Sequence, residues 1–93
     1  MKTTRQLITE LLKEKSCSAI ELSREVRVKE KEIYEHLPHI SKSAAAQGRK
    51  LYIDPSRCMK CGYVFKDRRR FTPPSRCPRC RDTYVTQPIF RII

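Results

Sequence analysis

The chain has two glycines among its 93 residues. It has no apolar run near the roughly 18 residues that a membrane span requires. Nor does it contain a glycine-rich phosphate loop, paired carboxylates or a nucleophile–base pair, so the sequence makes no case for an enzyme. Lys2 and Arg5 are followed by no apolar segment of signal-peptide length, and the expectation is a reduced, cytoplasmic protein. Acidic residues are scarce: 10 Asp and Glu face 21 Lys and Arg, a net charge of +11. The shortage is uneven. Residues 1–48 carry seven acids against nine bases, whereas residues 49–93 carry three against twelve. Such an excess calls for an anionic partner, nucleic acid before a membrane surface. With 39% apolar residues in a short chain, the core is limited and needs a metal, a disulfide or a partner to supplement it.

What is present reads as helices first. Thr3 or Thr4 can cap a helix carrying Leu7, Ile8, Leu11 and Leu12 on one stripe. SAIE reads as a capping box, with Ser18 as N-cap and Glu21 reaching back. Ala19, Leu22 and Val26 follow on one face, and that helix stops near Arg27. A third helix starts around Lys29 with Ile33, Leu37 and Ile40 inward. Pro38 cannot donate to the carbonyl of Tyr34, so a kink or a restart is expected there. Gly48 stands where a left-handed C′ residue closes a helix. Leu51 and Ile53 then alternate with polar neighbours, as do Phe90 and Ile92, which predicts two pairing strands. Pro55 and Pro88 bracket an excursion between them, which a hairpin tolerates at low cost because it already holds the two ends together.

The excursion holds four of the five cysteines. Cys58-x2-Cys61, fifteen residues, then Cys77-x2-Cys80 is the spacing of a four-cysteine zinc site. Two intervening residues let a tight turn aim both sulfurs at one ion, with backbone N–H groups dispersing the thiolate charge. Gly62 suits the positive φ that such a turn often requires. Arg81 holds the corresponding place in the second turn. Four cysteine ligands leave no position for a catalytic water, so the expected ion is one structural Zn2+, with iron as a substitute. Cys17 reads as a small residue at a helix junction, and His36 and His39 are not needed as ligands.

CMKCGYVF followed by SRCPRC resembles the knuckles of rubredoxin, with a shorter and more basic intervening segment than in that electron carrier. CxxCGYVFKDR, PSRCPRC, the terminal PIFRI and, more faintly, EIYEHLPHI make the whole chain resemble an archaeal family of predicted transcriptional regulators. In that family a winged helix-turn-helix is fused to a rubredoxin-like zinc ribbon. The resemblance implies a DNA-binding regulator with the ribbon inserted in the wing and the four cysteines on zinc.

The expectation is therefore an α+β fold: a small winged helix-turn-helix, three helices plus a two-stranded hairpin, over 1–54 and 88–93, with a zinc ribbon over 55–87. Arg57, Lys60, Lys66, Arg68, Arg69, Arg70, Arg76, Arg79 and Arg81 would meet phosphate from the ribbon. Tyr63, Phe65 and Phe71 are expected to form the small ribbon core. Lys29, Lys31, Tyr34 and His36 would face the major groove from the third helix, although Glu30, Glu32 and Glu35 leave that helix near neutral. Duplex DNA is the expected partner. A transcription-machinery protein or RNA is the alternative, and the chain offers no zipper or extra helix from which to build a dimer.

Overall fold

The computed structural model describes residues 1–66 and 70–93. Three helices form the first half: α1 (Thr4–Glu14), α2 (Ala19–Val26) and α3 (Glu30–Ala46). Each starts or stops for a local reason. The Thr3 hydroxyl accepts from the Gln6 N–H at 3.1 Å, and the Gln6 side chain accepts from the Thr3 N–H at 2.8 Å. Ser18 and Glu21 make the same reciprocal pair at 3.2 and 3.1 Å, which satisfies two N–H groups that a helix start leaves orphaned. Arg27 ends α2 in the left-handed region at φ 58°. At the end of α3, Gly48 takes φ 73°. Its N–H donates to Ala45, and the Arg49 N–H donates to Ala44, the two bonds of a Schellman closure.

Pro38 neither stops nor restarts α3, which runs unbroken to Ala46. The proline is exposed, so its ring meets solvent rather than a packed neighbour. Burial of Ile33, Leu37, Ile40 and Ala44 on the opposite face offsets the hydrogen bond missing at Tyr34.

The sheet differs from the expected hairpin. It has three antiparallel strands in the order β1-β3-β2: β1 (Cys17–Ser18), β2 (Leu51–Asp54) and β3 (Ile89–Ile92). β3 pairs Ile92 with Leu51 and Ile89 with Asp54 on one side, and Phe90 with Cys17 on the other. Two residues between helices carry no period-2 signal. They become a strand because the second edge of β3 offers backbone partners. Cys17 is accordingly a fully buried strand residue, not merely a helix junction.

The core gathers Ile8, Leu12, Cys17, Leu22, Ile33, Leu37, Ile40, Leu51 and Ile92 around Phe90. Leu11 is only partly buried against this core and Leu7 is 39% exposed, so half of the α1 stripe lies at its edge. Phe90 is fully buried. Phe90→Ala should cost about 3–5 kcal/mol, read as a lower denaturant midpoint with an unchanged slope.

Residues 55–88 leave the sheet at Asp54 and return at Ile89. They build a second, smaller cluster of Cys58, Phe65 and Cys77, with Tyr63 and Val85 against it. Tyr63 and Phe65 meet edge to face at 5.0 Å, as a ribbon core requires. Phe71 departs from that expectation. It packs against the helical core instead, its ring 6.0 Å from that of Phe90. The molecule is elongated, 46 × 28 × 19 Å. Among the described residues no helix is long and apolar enough to cross a membrane.

Candidate metal centre and basic surface

Two matching turns position the four cysteines. In the first, the Gly62 N–H donates to the Cys58 carbonyl at 3.0 Å, and the Cys58 N–H donates to the Tyr63 carbonyl at 2.8 Å. In the second, the Arg81 N–H donates to Cys77 at 2.8 Å, and the Cys77 N–H donates to Asp82 at 2.9 Å. Both turns need a left-handed residue after the second cysteine. Gly62 takes φ 80° and Arg81 takes φ 61°. The same loop is thus made twice, once without steric cost and once with a side chain that the conformation disfavours. Arg81→Gly should stabilise the metal-loaded protein by about 0.5–1 kcal/mol, seen as a higher melting temperature. Gly62→Ala should do the opposite through its backbone alone, because nothing lies within 4 Å of an added Cβ.

The first turn is tied to the returning chain. The Met59 N–H donates to Tyr84 and the Thr86 N–H to Arg57, both at 2.9 Å. The Arg57 N–H donates to the Thr86 hydroxyl at 2.8 Å. Asp82, which the motif does not mark, caps the second turn. Its carboxylate accepts the Tyr84 N–H at 2.8 Å and lies 3.5 Å from the Lys60 ammonium. The Tyr84 N–H first, and then Lys60, hold its carboxyl below the usual carboxylate range. Its signal was its place, equivalent to Tyr63 of the first turn.

All four sulfurs lie within 4.8 Å of one another. Cys58 and Cys80 are 3.5 Å apart, and Cys61 and Cys77 are 3.6 Å apart. A tetrahedral ion with sulfur bonds of about 2.3 Å needs S···S edges of about 3.8 Å, so the cluster fits a single ion with little adjustment. Among the described residues no histidine joins it. Cys58 and Cys77 are buried, whereas Cys61 and Cys80 reach the surface.

The peptide groups favour thiolates at the buried pair. The Cys61 N–H, and then that of Lys60 against the cost of burial, bring Cys58 down to about 6. Burial opposes ionisation of Cys77, but the N–H groups of Cys80 and Arg79 outweigh it and hold the thiol below its ordinary value. The Asp82 N–H favours the Cys80 thiolate, yet burial and the neighbouring sulfurs push it up to about 12. Cys61 is raised in the same way, with the Tyr63 N–H opposing. Four sulfurs this close cannot all ionise unless a cation binds between them. The soft, closed donor set holds a metal, as in a zinc ribbon, and keeps no open position for substrate.

The structure places Arg57, Lys60, Lys66, Arg70, Arg76, Arg79 and Arg81 at the surface. Lys60 pairs with Asp82, and no other member of this set has an acid partner among the described residues. Arg68 and Arg69 lie outside the described residues. On α3 the four candidates divide. Lys29 and Lys31 are exposed. The Tyr34 hydroxyl donates to Glu30 at 2.8 Å, and burial with that bond raises its pKa. His36 lies between the Arg5 guanidinium and the Glu32 carboxylate, 3.3 Å from each.

Comparison with known proteins covers both parts of the chain. Residues 3–52 match the family described as PF0610-like, N-terminal. Residues 55–93 match the PF0610 rubredoxin-like zinc beta-ribbon domain. The solution NMR structure of protein PF0610 from Pyrococcus furiosus is 40% identical and superposes with a TM-score of 0.81, over 97% of this chain and 88% of that one. No curated protein matches. The matches cover the helical unit and the ribbon alike, and the chain belongs to the PF0610-like family.

Proposed function

We propose that the chain is a DNA-binding transcriptional regulator of the winged helix-turn-helix type, whose wing tip is replaced by a structural zinc ribbon. The element order α1-β1-α2-α3-β2-β3 and the sheet order β1-β3-β2 support the winged-helix reading. The observation that carries the function is the exposed ribbon charge. Arg57, Lys66, Arg70, Arg76, Arg79 and Arg81 are held on a small metal-clamped unit with no acid against them among the described residues. Guanidinium forks suit phosphate. On this reading the resident ion is zinc, with iron able to take its place. The protein works in the cytoplasm by binding, without chemistry of its own.

One observation favours a second reading, a protein adaptor of the transcription machinery. Tyr34 and His36 are committed to Glu30 and Glu32 of their own helix, so the N-terminal part of α3 meets a partner as a carboxylate-rich face.

Titration of the metal-loaded protein with a generic duplex across a range of salt concentrations separates the two. DNA binding gives an affinity that falls steeply with salt, because several counterions are released. Absence of binding at low salt would leave the adaptor, or an RNA partner, as the reading to pursue.

A further inference from the structure

The outer face of the sheet is uncovered. Alternation puts Leu51, Ile53, Phe90 and Ile92 inward and leaves the even residues of β2 facing out with the odd ones of β3. Tyr52 stands directly opposite Arg91, and Asp54 opposite Ile89. A shallow groove on this face is lined by Ser16, Tyr52, Asp54, Ile89, Arg91 and Ile93. It continues past Asp54 and Ile89 to Arg57 and Met59 at the root of the ribbon. Tyr52 is 44% exposed and Met59 55%. Tyr52 has no ring partner and no side-chain hydrogen bond among the described residues, and the guanidinium groups of Arg57 and Arg91 have no acid partner there.

An exposed ring on a sheet, with an unpaired guanidinium opposite and another along the same groove, suits one kind of ligand. A nucleobase offers a flat face to stack, and stacking on an aromatic side chain needs no particular base. Its flanking phosphates suit arginine forks spaced along the groove. Asp54 would repel a phosphate but can accept from an exocyclic amine on the base edge, as acidic side chains do with cytosine. Duplex DNA cannot stack on Tyr52, because its bases are stacked on one another. A second copy of the chain is disfavoured by its own charge of +11.

We propose that the outer face of the sheet binds single-stranded nucleic acid, with an unpaired base stacked on Tyr52 and its phosphates on Arg91 and Arg57. This goes beyond the duplex reading, since it assigns the outer sheet face at Tyr52 and Arg91, sharing only Arg57 with the ribbon surface, and a different form of the polymer.

The test uses the metal-loaded full chain and a labelled oligo-dC about ten nucleotides long, a length within the site sizes of such surfaces. Tyr52→Ala should weaken oligo-dC binding by about ten-fold or more, the usual effect of losing one stacked base. Tyr52→Phe should keep it, since a ring remains. Arg91→Gln should weaken it and flatten its salt dependence. Duplex affinity, measured on the same proteins, should be unchanged by Tyr52→Ala. Equal oligo-dC affinity for wild type and Tyr52→Ala, or no binding of oligo-dC, overturns the proposal. So does a wild-type dimer that Tyr52→Ala converts to a monomer, because the face would then be covered by a second copy. Tyr52-dependent oligo-dC binding without duplex binding would support this proposal while removing the duplex reading. Duplex binding with an inert Tyr52 would do the reverse.

Discussion

Removing the metal with a strong chelator should unfold the ribbon and leave the helical unit folded. Of the three buried residues of the ribbon cluster, two, Cys58 and Cys77, are themselves ligands. Without the ion, Phe65 with its partly buried neighbours Tyr63 and Val85 and the contact of Phe71 with Phe90 are the main apolar contacts left to order residues 55–88. That is too little apolar area to offset the chain entropy. In small zinc domains the ion supplies roughly 10 kcal/mol or more of folding free energy. The helical unit has its own core around Phe90. Its penalty is mainly the closure of a longer flexible loop between β2 and β3, about 2 kcal/mol. Far-UV circular dichroism should therefore retain its helical signal while amide protection disappears from residues 55–88. Cys77→Ser should reproduce this without chelator. Acid should do so too, because protons compete with the metal for thiolates. If the helices melted together with the ribbon, the two clusters would be one cooperative unit and this account would fail.

Replacing Arg70, Arg76 and Arg79 together by alanine should have the largest effect on nucleic-acid affinity. The three are exposed, and their removal leaves the left-handed backbone at Arg81 untouched. Each phosphate no longer neutralised should lower the slope of log affinity against log salt by about 0.9. Three such phosphates would lower it by roughly 2 to 3, which near 0.1 M salt corresponds to an affinity weaker by about a hundred-fold or more. The metal-loaded fold should be unchanged, as the ribbon cluster of Cys58, Phe65 and Cys77 remains. Lys29→Ala with Lys31→Ala is the informative comparison. A ribbon-led complex is little affected by it, whereas a complex read by α3 loses affinity and sequence preference together. An unchanged salt slope in the arginine variant would remove the ribbon from the interface.

Much of this was legible in local sequence, and the exceptions share a cause. A threonine cap at Thr3 or Thr4, the capping box at Ser18, the closure at Gly48 and the alternation of Leu51 and Ile53 are decided within a few residues of chain. The four cysteines are legible because a tight metal turn fixes their spacing. What was missed depends on distant partners. β1 is two residues long and exists because β3 has a second edge. Phe71 looks like a ribbon aromatic and is one by position, but its neighbour is Phe90. Arg81 was legible as the counterpart of Gly62, but its left-handed backbone was not, because glycine is the usual signal for that conformation. The bond from Arg5 of α1 to His36 is likewise a long-range partner that the sequence does not mark.

The packing of Phe71 on Phe90 also governs how the molecule can approach a partner. A domain carried on a flexible tether samples many orientations and must lose that freedom on binding. Here an aromatic strut joins the metal unit to the helical core, so the arginine surface and α3 arrive as one preset body. The second patch to dock has, in effect, a very high local concentration, but only where the partner offers matching patches within a 46 Å span. Shortening that strut to alanine would turn a rigid caliper into a hinged one, with broader tolerance for spacing and weaker grip at the right one.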